Sequence, residues 1–202
     1  MTPGDPLLPQ HLISWVWAAW ALYWLVAAYG NKATQRRERF TSRLIYMLAL
    51  VAGSVLIAWD RWPWGRVLDA FFWPRSALSY LVGLAVLIVG LAFSVWARVH
   101  LGRNWSGNVT VKEGHELIRT GPYRYLRHPI YTGILTGAIG TAISSGTLRA
   151  ALGLAVVTAA FIVKLRAEER FMREAFPGEY EQYCKEVPAL IPFTKSRRSA
   201  PR

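Results

Sequence analysis

Apolar residues fall in long runs along this chain, and polar residues gather between the runs. Nineteen consecutive positions, 11–29 (HLISWVWAAWALYWLVAAY), contain no Lys, Arg, Asp or Glu. At about 1.5 Å per residue a helix of that length covers roughly 30 Å, the depth of a bilayer's hydrocarbon core. The pattern therefore predicts a first transmembrane helix, a shorter second over 44–59 and a third over 76–97. From Pro129 to Val163 only Arg149 is charged, and SSGTLR near the middle reads as a tight turn between two antiparallel helices. The second of these, 150–163, is short enough to need shelter from its neighbours or a slight tilt. Gly133, Gly137 and Gly140, with Ala138 and Ala142, give the first a small-residue face suited to close packing. The expected fold is all-α and integral to a membrane, with about five transmembrane helices, the last two a helical hairpin, and a cytoplasmic C-terminal helical segment. Two regions are expected: a three-span membrane region over 1–97 and a catalytic region over 98–202, comprising a cofactor loop, the hairpin and the C-terminal segment.

Charge orients these spans. Residues 31–43 (NKATQRRERFTSR) hold five basic residues against one acid, and 98–128 hold six against two. Positively charged loops stay in the cytoplasm, which places the N-terminus outside and the polar 98–128 loop and C-terminus inside. The formal charge of +12 would also suit a nucleic-acid binder. Because Lys and Arg avoid the apolar runs and collect between them, membrane lipids are the expected partner and nucleic acid is not. Ten Trp and nine Tyr fit a protein with many positions at headgroup level. Cys184, the single cysteine, leaves no disulfide framework, and His100, His115 and His128 lack a metal-ligand spacing, so no metal is expected. MTPGDPLLPQ has no positive signal-peptide region and SAPR is no prenylation box, which leaves anchoring to the spans.

Candidate chemistry sits at both ends of the expected hairpin. In GPYRYLRHPIYTG, 121–133, Gly121-Pro122 forces a turn. Pro129 suits the first turn of a helix, where its missing N–H costs nothing, and it holds His128 out of the helical region. A helix start offers free amides to an anionic group, and Tyr123, Tyr125 and Tyr131 can line an aromatic wall for a purine or a sulfonium cation. The plainer alternative is that Arg124, Arg127 and Tyr131 snorkel at the interface. In KLRAEERFMREAFPGEYEQY, 164–183, the pairs Glu169/Arg173 and Arg170/Glu174 fit a solvated helix face. Lys164 and Glu168, however, are one turn apart on a face that can look back toward the tyrosines, and an acid beside a fixed cation is a site candidate. The apolar VPALIPF, 187–193, is expected to lie along the membrane surface or cover the site, and LGRNWSGNVTV, 101–111, to line one wall.

Over roughly 98–193, the segments LGRNWSG, GHELIRTGPYRYLRHPIYTG, the AEE pair and FPGEYEQYCKEVPALIPF together resemble the isoprenylcysteine carboxyl methyltransferase family and its phospholipid-methyltransferase relatives. The resemblance implies a membrane enzyme using S-adenosyl-L-methionine, bound in a cytoplasm-facing pocket of the loop, the last two helices and the C-terminal segment. It implies a lipophilic or lipid-modified acceptor, first of all carboxyl O-methylation of an isoprenylcysteine-like substrate. By position it assigns cofactor contacts to Asn108, His115, Glu116, Leu117, Ile118, Tyr123, His128, Pro129, Ile130, Tyr131, Glu168 and Glu169. The catalytic set it implies is Lys164, Arg166 and Glu168. Where the family has a basic residue one turn before the acid, this chain has Lys164 with Arg166 close by, and either can hold the acceptor. A Lys point charge and an Arg fork would not hold a carboxylate alike. The first third of the chain carries no such resemblance, and a G-x-G-x-x-G dinucleotide fingerprint is absent. Other readings are a phospholipid or amine N-methyltransferase, an NADPH-dependent sterol-type membrane reductase, which also carries an Arg-His-Pro segment, and a membrane protein whose clusters serve only as anchors.

Overall fold

The computed structural model describes residues 11–28, 34–37, 40–58, 67–74, 76–102, 110–112 and 117–194. Helices follow in the order α1 (Leu12–Ala27), α2 (Phe40–Ala58), α3 (Ala77–Leu101), α4 (Pro129–Ser145), α5 (Leu148–Ala175) and α6 (Glu179–Glu186). By length and composition α3 and α5 can each cross a membrane, while α1 and the described part of α2 are shorter apolar helices. The body is helical, as expected. One departure is an antiparallel ribbon of β1 (Thr34–Arg37) and β2 (Thr110–Lys112), with Thr34 opposite Lys112 and Arg37 opposite Thr110. A four-residue polar strand has no alternating pattern to announce it, and its partner lies more than seventy residues away in sequence, so only tertiary context creates it.

Helix boundaries follow local chemistry. Ser76 caps α3 by accepting from the Ser79 amide, and Ser79 reciprocates toward the Ser76 amide. Pro129 opens α4, and His128 before it stands outside the helical region at φ −125°, ψ 59°. The turn expected at SSGTLR is present: Gly146 ends α4 at φ 67°, and the Thr147 hydroxyl accepts from the Ala150 amide to start α5. Helix α5 does not stop where its apolar run ends. It continues through KLRAEERFMREA to Ala175, 28 residues in all, because that stretch is rich in strong helix formers. The last span is short only as an apolar run; as a helix it is the longest described.

Two close helix pairs make the body, α3 with α4 and α2 with α5. A Cβ placed on Gly140 would come within 2.4 Å of the Gly83 carbonyl oxygen and of the Leu87 amide. Such backbone proximity is what small-residue faces allow. Gly53 and Gly153 bring α2 and α5 together in the same way, each blocked by the other's carbonyl oxygen at 2.9 and 2.7 Å. Helix α1 is tied to the first pair by indole donors: Trp17 to Thr141 Oγ1 at 3.0 Å and Trp20 to Ser94 Oγ at 2.8 Å. At the far end from the polar clusters, Arg149 is fully buried and donates to Asp69 Oδ1 (3.0 Å) and to the Leu56 and Ile57 carbonyls. Its charge thus meets the last carbonyls of α2, the negative end of that helix. The backbone of 68–72 adds bonds to Gly146, Leu148 and Arg149, strapping the α4–α5 turn.

Gly140→Ala is expected to force α3 and α4 apart and to destabilise the protein by about 1–3 kcal/mol. Thermal unfolding in detergent should show the loss, and an unchanged midpoint would contradict the close contact.

Candidate functional site at the end of the α4–α5 hairpin

Two consecutive acids on α5 are used differently. Glu169 is buried. Its Oε1 accepts from Arg127 Nε at 2.9 Å and Nη2 at 2.6 Å, and its Oε2 accepts from Arg173 Nη2 at 3.1 Å. Arg127 also donates Nη1 to the carbonyls of Cys184 (3.3 Å) and Val187. One carboxylate therefore joins the loop before α4, helix α5 and the segment after α6. Burial works against the charge on Arg127, but Glu169 outweighs it and raises the guanidinium above its ordinary value. Backbone bonds complete the tie: the Arg127 amide donates to the Pro188 carbonyl (2.9 Å), the His128 amide to Ala189 (3.0 Å), and Thr132 Oγ1 to Leu190 (2.7 Å). The segment expected to cover the site lies along the loop here.

Glu168, about 100° further round the helix, is about one-third exposed, at 32%. Its Oε2 accepts a 2.6 Å hydrogen bond from the Tyr131 hydroxyl. The His128 ring stacks on Tyr131 with centroids 5.4 Å apart and planes within 7°. Its Nδ1 is 3.7 Å from Glu168 Oε2 and its Nε2 is 3.4 Å from Glu169 Oε1, within ion-pair range. That buried Nε2 makes no hydrogen bond among the described residues. Lys164 Nζ stands 5.2 Å from the Tyr131 ring centroid and 5.9 Å from that of Tyr46 on α2, at cation–π range. Tyr131 consequently touches an acid, an imidazole and an ammonium at once.

The remaining expected residues divide into three groups. Tyr123, Pro129 and Ile130 are buried beside this cluster; the Tyr123 carbonyl accepts from the Tyr183 hydroxyl, whose acidity burial suppresses, so it stays a neutral donor. Ile118 packs against the core that holds Tyr123 and Tyr131, and Leu117 against the core of Tyr180, Tyr183 and Val187. Tyr125, 57% exposed, and Arg166, also exposed, stand apart from the cluster. The aromatic wall therefore comes from two of the three tyrosines. Asn108, His115 and Glu116, with most of 101–111, lie outside the described residues. Sequence reasoning did not single out Tyr46, which sits in an ordinary apolar run. It also left Arg127 as an interfacial cation, although a basic residue facing a nearly uncharged hairpin and an acid after it is a usable pairing signal. Among the described residues no three His, Cys, Asp or Glu side chains group as a metal-ion set.

The fold is similar to the solved structure of a eukaryotic intramembrane Ras methyltransferase, with a TM-score of 0.50 and 24% identity over 77% of this chain and 54% of that one. Fold and site together define a helical protein with a polar cluster at the end of a helical hairpin and, in α3 and α5, two helices long and apolar enough to cross a membrane. Residues 81–174 match the family model of isoprenylcysteine carboxyl methyltransferase. A probable protein-S-isoprenylcysteine O-methyltransferase of Oryza sativa subsp. indica is 34% identical over 119 residues, 57% of this chain and 62% of the rice protein. A cobalt-zinc-cadmium resistance protein of Cupriavidus metallidurans is 32% identical over 147 residues, 72% of this chain and 60% of that protein. The chain thus spans less than two thirds of the length of either relative.

Glu169→Gln leaves Arg127 and Arg173 without their common anion, and a buried pair broken on one side costs roughly 3 kcal/mol. Thermal unfolding of the detergent-solubilised variant should show a clear drop in midpoint; equality with the parent would mean that the tie does not hold the loop.

Proposed function

We propose that this protein transfers the methyl group of S-adenosyl-L-methionine to the carboxylate of a lipophilic, isoprenylcysteine-like acceptor. One observation carries this reading: the Tyr131 hydroxyl bonds Glu168 while its ring meets the Lys164 ammonium. An acid suited to the cofactor and a cation suited to an acidic acceptor are set on a single phenol.

The donor set fits the cofactor. Glu168 is a partly exposed carboxylate able to accept from amine or hydroxyl groups, and His128 offers a buried ring nitrogen without a hydrogen bond. Tyr131 and Tyr123 supply aromatic surface suited to a cation or a purine. When bound, the cofactor supplies an electrophilic methyl group on a sulfonium. The work of this chain's residues is binding and orientation, which can contribute several kcal/mol when reacting atoms are well aligned. Glu168 engages a polar group of the cofactor; His128, Pro129, Ile130 and Tyr131 form one wall, and Ile118 packs against the core behind it. Glu169 acts on this wall through Arg127, holding the loop that carries it.

In this reading Lys164 holds the acceptor rather than Arg166, supported by its ammonium standing against the Tyr131 ring while Arg166 is exposed. A carboxylate is already ionised and nucleophilic at neutral pH, so no general base is required. An amine acceptor would meet a cation where it needs an acid, which favours O-methylation over the phospholipid N-methylation reading. The same reading takes α1 to α5 as five spans, with the N-terminus outside and the hairpin's polar end in the cytoplasm, where basic loops collect. It takes 1–97 as the membrane region and 98–202 as the catalytic region. The lipophilic acceptor then arrives from the bilayer and the soluble cofactor from the cytoplasm.

Calorimetry on the detergent-solubilised protein should detect S-adenosylhomocysteine, and Glu168→Gln should weaken that binding at least tenfold, about 1.4 kcal/mol, without lowering the unfolding midpoint. Absence of binding by the unaltered protein would sink the reading, and preferential NADPH binding would replace it with the reductase. Tritium transfer from labelled cofactor into N-acetyl-S-farnesylcysteine checks the acceptor class.

A further inference from the structure

Lys164 is the first charged residue after the fourteen uncharged positions 150–163 of α5. A lysine at such a level ordinarily extends its four-carbon stem toward water. Here two aromatic rings from two other helices stand against its ammonium: Tyr131 of α4 at 5.2 Å and Tyr46 of α2 at 5.9 Å. Tyr46 is 2% exposed, among the most buried large side chains of the protein. Its helix is fixed against α5 by the Gly53–Gly153 contact, with Tyr46 seven residues before Gly53 on α2 and Lys164 eleven after Gly153 on α5. Past that contact, toward the polar end, α2 and α5 have room for a phenol and an ammonium between them.

We propose that Tyr46 is an acceptor-specificity residue: with Tyr131 it holds the Lys164 ammonium at the level where the anionic head of a membrane amphiphile is read. The inference rests on the proposed function and extends it to α2, which lies outside the stretch 81–174 that matches the family model. Tyr131 is committed to the acid through its hydroxyl, and the Tyr46 ring gives the ammonium a second aromatic contact from a different helix. Tyr46 is a positioning residue that acts through Lys164. Without its ring the ammonium can snorkel, and an acidic head loses its advantage over a neutral head of the same size. The N-terminal region thereby takes part in choosing the acceptor as well as in anchoring the protein.

The test compares N-acetyl-S-farnesylcysteine with its C-terminal carboxamide, two probes of equal bulk that differ in charge, by equilibrium binding to the full chain in lipid nanodiscs. The unaltered protein should prefer the acid. Tyr46→Leu should cut that preference about threefold to thirtyfold, the range of one cation–π contact, and leave S-adenosylhomocysteine affinity within twofold. Tyr46→Phe, which keeps the ring, should retain the preference. Lys164→Met should lose it, and adding Tyr46→Leu to Lys164→Met should change nothing further. No acid preference in the parent, an unchanged preference in Tyr46→Leu, a Phe variant that behaves like Leu, or additive losses in the double variant would each overturn the proposal. If the parent binds no S-adenosylhomocysteine yet Tyr46→Leu erases the acid preference, the methyltransferase reading fails and the anion site stands; cofactor binding with an unchanged preference fails this inference alone.

Discussion

An ion pair placed just past the apolar part of α5 organises the whole polar end of the molecule. Glu169 binds Arg127 through two donors, and Arg127 reaches on to the carbonyls after α6. That pair adds a buried charged tie to the backbone bonds and packing that hold the loop carrying His128 against the C-terminal segment. Partial burial makes the pair demanding as well as strong, since each charge has given up water and depends on the other. Its neighbour Glu168 faces another way: it accepts the Tyr131 hydroxyl and keeps about a third of its side chain exposed, 32%. One acid secures the frame, and the next one round the helix is partly open.

The hairpin imposes a second constraint, on backbone spacing. Glycines on α3 and α4 and the Gly53–Gly153 contact leave these helices little freedom to slide. A site assembled from α2, α4 and α5 needs this, because Tyr46, Tyr131 and Lys164 come from three different helices and meet within about 6 Å.

Much of this was legible in the sequence wherever the signal is local. Pro129 announces both the start of α4 and the non-helical His128, and SSGTLR announces the turn at Gly146 and the cap at Thr147. The facing of Lys164 and Glu168 toward the tyrosines follows from helical spacing alone. What escaped were consequences of long-range packing. Tyr46 looks like any residue of an apolar run until α2 is laid on α5, and Tyr125 looks like a wall residue until the turn around 121–124 directs it outward. The β1–β2 ribbon joins segments that neither periodicity nor composition connects. Helix α5 outruns its apolar run for a different reason: hydropathy marks where an apolar stretch ends, whereas helix propensity decides where the helix ends.

That uninterrupted α5 has a mechanical meaning. Its 28 residues form one rod from the Arg149 clamp at one extremity to Glu169 at the other. With no Pro or Gly between Val157 and Ala175 to interrupt it, the apolar half and the polar half share one continuous helical register. A single residue inserted in the rod would swing Lys164, Glu168 and Glu169 together by about 100°. Register along one helix, counted from the clamp, is therefore the ruler that sets where Lys164, Glu168 and Glu169 stand relative to α2 and α4.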